Sequence, residues 1–97
     1  MTSIIATLFI RRMLNKEEIV YNSRSLVGTW LCNVNGIDDI WIEMCGGNGN
    51  DVFPCTVDNC GDVIGGLLYD NDGKYNLLNL HVNVKGIEKV IGSIDIV

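Results

Sequence analysis

The chain has 97 residues, of which 47% are hydrophobic and 20% charged, with a single Pro. This length fits one domain, and the composition excludes intrinsic disorder. Seven Lys and Arg against twelve Asp and Glu give a net charge of -5, which argues against DNA and other nucleic-acid partners.

The first apolar stretch, Ile4 to Ile10, is too short to span a membrane. Arg11-Arg12 follows it, the reverse of the charge order in a signal peptide. The expectation is a cytoplasmic protein with no membrane partner. Residues 2–14 read as a strand or as an arm packed on the domain. Asn15 is a candidate helix cap, with Glu18 returning a bond and Leu14 stapling onto Ile19. A short helix over 16–21 follows. The expected organisation is one domain over 1–97, with an arm and short helix in 1–25 and a β domain in 26–97.

From Leu26 onward, short apolar runs alternate with Gly, Asn and Asp, the pattern of antiparallel sheet. Strands are expected over 26–34, 37–45, 52–57, 62–69, 75–84 and 87–96. The fold expected is mainly all-β: an antiparallel six-stranded meander forming a small barrel or sandwich, with a short N-terminal helix. Asn35-Gly36 and Lys85-Gly86 read as tight hairpin turns. Residues 33–38 echo residues 83–88, either by duplication or because two hairpins converge on one turn chemistry. An Asn35-Gly36 turn would set Trp30 opposite Trp41. Ile40, Ile42 and Met44 would then share the other face with Val27 and Leu31. Two apolar faces imply a sheet covered on both sides, by the N-terminal segment, a ligand or a second subunit.

The cysteines Cys32, Cys45, Cys55 and Cys60 do not form two close pairs, so they read as buried apolar residues. Zinc held with His81, or a Cys55–Cys60 disulfide in an oxidising compartment, are the alternatives. His81 lies beside Asn79 and Asn83, and an acid–base role would need Glu88 or Asp95. No nucleophile elbow, P-loop or zinc-protease motif is present. Asp70 to Lys74 lacks the acidic first and twelfth positions of a calcium loop and reads as a turn. No catalytic residue, metal or cofactor is therefore assigned.

Two segments resemble lipocalin-like (calycin) domains: Val27-Gly28-Thr29-Trp30, and Gly66 to Tyr75 with its Asp72-Gly73 turn. The resemblance covers residues 26–80 and implies a β-barrel with an apolar cavity. The leading functional expectation is a non-enzymatic domain holding a small apolar or aromatic ligand on Trp30, Trp41, Tyr69, Tyr75 and His81. The alternative is a protein-interaction module, as a homo-oligomer or a small acidic inhibitor of a larger protein. Gly61, Gly66, Leu68, Asp72, Tyr75 and Asn76 are also similar to the first motif of Sm-like domains, which implies RNA binding as a minor alternative.

Overall fold

The computed structural model describes residues 14–96. The reading of residues 2–13 as strand or arm lies outside these. Helix α1 spans Lys16–Leu31. Asn15 caps it by accepting a hydrogen bond from the Glu18 amide at 2.8 Å. Glu17 and Glu18 suit the positive end of the helix. Ile19, Ser23 and Val27 recur every fourth residue and form its buried stripe. The helix runs ten residues beyond the expected 21 and through the boundary placed at 25/26. The expected strand over 26–34 is therefore its last turns and the connection that follows. Val27, Thr29 and Trp30 have modest helix propensity, but packing outweighs it. Thr29 Oγ1 donates to the Ser25 carbonyl at 3.1 Å, which satisfies the hydroxyl within the helix.

Strand β1 spans Ile37–Gly46 and β2 spans Gly49–Cys55. They pair antiparallel through a turn at Gly47-Asn48. Helix α2 then covers Cys60–Tyr69, where a strand over 62–69 was expected. Its fourfold repeat, Cys60, Ile64 and Leu68, is almost completely buried. A second repeat, Gly61 and Gly65, lets α2 sit directly on α1. A methyl group on Gly65 would lie 2.8 Å from the Val20 Cα, and one on Gly61 2.6 Å from the Arg24 Cα. Glycine lowers helix propensity by about 1 kcal/mol per residue. Here the close backbone approach offsets that cost.

Strands β3, Leu77–Val84, and β4, Ile87–Asp95, form a hairpin. Lys85 and Gly86 both have positive φ, as a type I′ turn demands. The sheet order is β2-β1-β3-β4, antiparallel throughout. The architecture is α+β, a four-stranded open sheet with two helices, and not a six-stranded barrel or sandwich. Among the described residues, no helix is long and apolar enough to cross a membrane.

One face of the sheet carries Ile40, Ile42, Met44, Leu78, Leu80, Val82 and Ile94, packed against both helices. The other face has no covering element among the described residues. The premise of the two-faced apolar hairpin fails, because Val27, Trp30 and Leu31 belong to a helix. Asn35-Gly36 links α1 to β1 and makes no hairpin, so Trp41 pairs with His81 instead of Trp30. The echo between 33–38 and 83–88 thus joins one connection and one hairpin. In β4, a register shift beside Leu80/His81 leaves Ile91 without a cross-strand partner and turns Ile94 inward onto the core.

Candidate functional site: the open sheet face

Alternation along the strands places fifteen side chains on the uncovered face. Its centre is a cross-strand pair. Trp41 on β1 stacks on His81 on β3, with centroids 5.2 Å apart and planes 8° from parallel. Val90 of β4 and Pro54 of β2 are the next neighbours in that row. β2 is an edge strand, so Pro54 leaves no interior ladder bond unmade.

A polar network runs through the adjacent row. His81 Nε2 lies 3.0 Å from Glu43 Oε1, and Asn79 Nδ2 donates to the same oxygen at 3.2 Å. Asn50 Nδ2 donates to Glu43 Oε2 at 2.9 Å. Ser93 Oγ donates to Asn79 Oδ1 at 2.6 Å. With its proton on Nε2, the imidazole donates to Glu43. These donors, His81 first and Asn79 next, hold the Glu43 carboxyl below the usual glutamate range. Glu88 stands on the far side, its Oε1 3.3 Å from His81 Nδ1. That contact is close but not aligned as a hydrogen bond, and Nδ1 is buried without a bonded partner.

The charges on this face have one sign. Asp39, Glu43, Glu88 and Asp95 are its carboxylates, and none of its positions is Lys or Arg. Val52 and Val90 are the large aliphatic groups most open to solvent there, at 61% and 51% exposure. Cys45 also lies on this face. Burial, then the charge of Glu43, pushes its thiol pKa up, so it is a poor nucleophile. No hydroxyl or thiol among the described residues bonds to His81.

The five expected ligand residues do not meet in one pocket. Only Trp41 and His81 come together. Trp30 projects from α1 to the other side of the sheet and covers Gly92. Tyr69 ends α2, 44% exposed, with Lys16 Nζ 5.4 Å above its ring. Tyr75 is buried and bonds through its hydroxyl to Asp51. Of the acid–base partners considered for His81, Glu88 is adjacent and Asp95 belongs to a different row. Glu43 is not marked in the sequence, because β1 and β3 are joined through β2 and α2 and no local spacing relates it to His81. No group of three His, Cys, Asp or Glu among the described residues is placed to hold a metal. The expectation of four buried cysteines also fails, since Cys32 is exposed and only Cys60 is fully buried.

No protein-family model, curated protein or solved structure matches the chain.

Proposed function

We propose that the protein is a non-catalytic interaction module that docks a basic protein segment on its open sheet face. The observation that carries this reading is the Trp41–His81 stack set among four carboxylates with no Lys or Arg on the face. An aromatic platform ringed by one sign of charge favours Lys and Arg side chains twice over. The carboxylates attract them at long range, and the indole face offers a cation–π contact. A broad sheet face whose groove lies at its rim, by Asp39 and Pro54, suits a macromolecular surface better than an enclosed small ligand. Glu43 is already held by His81, Asn79 and Asn50, so its position is set before any partner arrives.

The test is an amide NMR titration of the full chain with an Arg/Lys-rich decapeptide. Shifts are expected on Trp41, Glu43, His81, Glu88 and Val90, weakening as salt is raised. Shifts spread evenly over the exposed carboxylates of α1 and the loops would overturn the proposal. So would shifts that are unaltered when Trp41→Ala and Glu88→Gln are combined.

A further inference from the structure

β2 ends at Cys55 and α2 begins at Cys60. Cys55 follows Phe53 by two positions, so both project toward the helices and pack on the core. Cys60 opens α2 and is completely buried in that core. The intervening turn is closed by its own bonds. The Thr56 amide donates to Asn59 Oδ1 at 2.7 Å, and the Asn59 amide donates to Thr56 Oγ1 at 3.2 Å. The Cys60 amide donates to the Thr56 carbonyl at 2.9 Å. The strand end and the helix start are thereby held side by side, with both thiols free. Cys55 remains partly exposed in a groove of about 390 Å³, lined also by Ile37, Ile40, Pro54 and Val57.

We propose that Cys55 and Cys60 form a reversible redox-modification pair, with Cys55 as the attacking thiol, Cys60 as the resolving thiol and a low-molecular-weight disulfide as oxidant. Accessibility assigns the roles, since a reagent in the groove reaches Cys55 and not Cys60. The interaction between the two thiols acts in the same direction. It lowers the pKa of Cys55 and, together with burial, raises that of Cys60.

With oxidised glutathione the steps balance. The Cys55 thiolate attacks one glutathione sulfur, the reagent's S–S bond breaks, and one glutathione leaves as thiolate. Cys55 is then a neutral mixed disulfide and no longer opposes ionisation of Cys60. The Cys60 thiol, at the N-terminal end of α2, attacks Cys55 Sγ and gives up its proton as the S–S bond forms. The second glutathione leaves as thiolate. Two protein thiols are oxidised, one glutathione disulfide is reduced, and the two protons released protonate the two leaving thiolates. The product needs an S–S distance of roughly 2 Å, and the Thr56–Asn59 turn holds the two residues side by side for it.

The experiment exposes the reduced full chain to oxidised glutathione, blocks remaining thiols by alkylation and cleaves before Asp. Such cleavage puts Cys32, Cys45, Cys55 and Cys60 on four different peptides. The expected product is a linked pair of peptides carrying Cys55 and Cys60, with no lasting glutathione adduct on either. Cys60→Ser should trap glutathione on Cys55, and Cys55→Ser should slow oxidation of Cys60 roughly tenfold or more. Cys60→Ala serves the same purpose if the serine variant does not fold. A lasting glutathione adduct on Cys55 in the unsubstituted chain would overturn the proposal. Modification of the exposed Cys32 while Cys55 stays reduced would do the same.

Discussion

The Trp41 indole lies flat on the His81 imidazole, 5.2 Å between centroids, because β1 and β3 pair them directly across the sheet. The same imidazole reaches Glu43 through Nε2, so one ring joins the aromatic platform to the acidic network. The other tryptophan serves a different end. Trp30 faces the helix side of the sheet and belongs to the packing between α1 and β4.

The two tryptophans should therefore separate experimentally. Trp30→Ala removes a large group from the helix–sheet interface and should cost about 2–4 kcal/mol of stability. Trp41→Ala loses mainly a stacking contact on an open face, and about 1–1.5 kcal/mol is expected. Binding of a basic peptide should respond in the opposite order, with Trp41→Ala the more damaging. Urea unfolding of both variants, paired with peptide titrations, checks this. Equal losses of stability would mean that Trp41 is also a packing residue.

Glu43 makes stability depend on acid. Its carboxyl is held below the usual range by the His81 and Asn79 donors in the folded chain. A carboxyl with a depressed folded pKa stabilises fully above its unfolded value, about 4.3. That stabilisation disappears as pH falls through the lower folded value. The wild-type chain should lose stability over this interval more steeply than Glu43→Gln. Unfolding midpoints measured from pH 7 to pH 3 would expose the difference. Parallel curves for the two chains would count against a depressed carboxyl.

Gly92 is the floor beneath Trp30. A methyl group there would come within 2.5 Å of Trp30 Cε2, closer than unbonded carbons tolerate. Gly92→Ala should cost about 1–3 kcal/mol by overpacking. Trp30→Leu should cost stability alone yet recover part of the loss in the Gly92→Ala background, the coupling expected of residues in contact. A double-mutant cycle reads that coupling. Strict additivity would mean that the strand simply moves aside.

Strands β1, β3 and β4 were legible because each is an apolar run rich in Ile, Val and Leu bounded by Gly, Asn or Asp, and β3 alternates strictly over 78–84. The Lys85-Gly86 turn was legible from its residue types. The helices were obscured by composition. Val27, Thr29 and Trp30 favour strands, and the Gly65-Gly66 pair suggests a break, although Cys60, Ile64 and Leu68 keep helical spacing. What makes Gly61 and Gly65 suit a helix is the close approach to Arg24 and Val20, some forty residues away in sequence. The site was half legible for the same reason. The β3–β4 hairpin puts His81 and Glu88 on one face by local register. Trp41 and Glu43 join them only through a β1–β3 pairing that no turn announces, while Asn35-Gly36 advertises a hairpin that does not form. Gly36 does take positive φ there, but in the link from helix to strand.

Asn71 offers a last test, of the loop that follows α2. Its buried side chain makes two bonds to one residue. Nδ2 donates to the Tyr75 carbonyl at 3.0 Å, and Oδ1 accepts from the Tyr75 amide at 2.9 Å. Tyr75 in turn ties this loop to Asp51 on β2 through its hydroxyl. Asn71→Ala leaves both backbone groups without partners and should cost about 2–3 kcal/mol. Asn71→Asp keeps the acceptor but sets a carboxylate against the Tyr75 carbonyl. At pH 7 it should be at least as damaging as alanine. The protonated acid can donate to that carbonyl, so the folded state should raise the pKa of the new carboxyl. A raised carboxyl pKa means that stability returns as pH falls through the folded value. The gap between Asn71→Asp and the wild type should therefore narrow from pH 7 to pH 5, whereas the gap for Asn71→Ala should not. Thermal unfolding of the three chains at both pH values separates these outcomes. A constant gap for Asn71→Asp would show that Nδ2 contributes little and that the loop is held mainly through Oδ1.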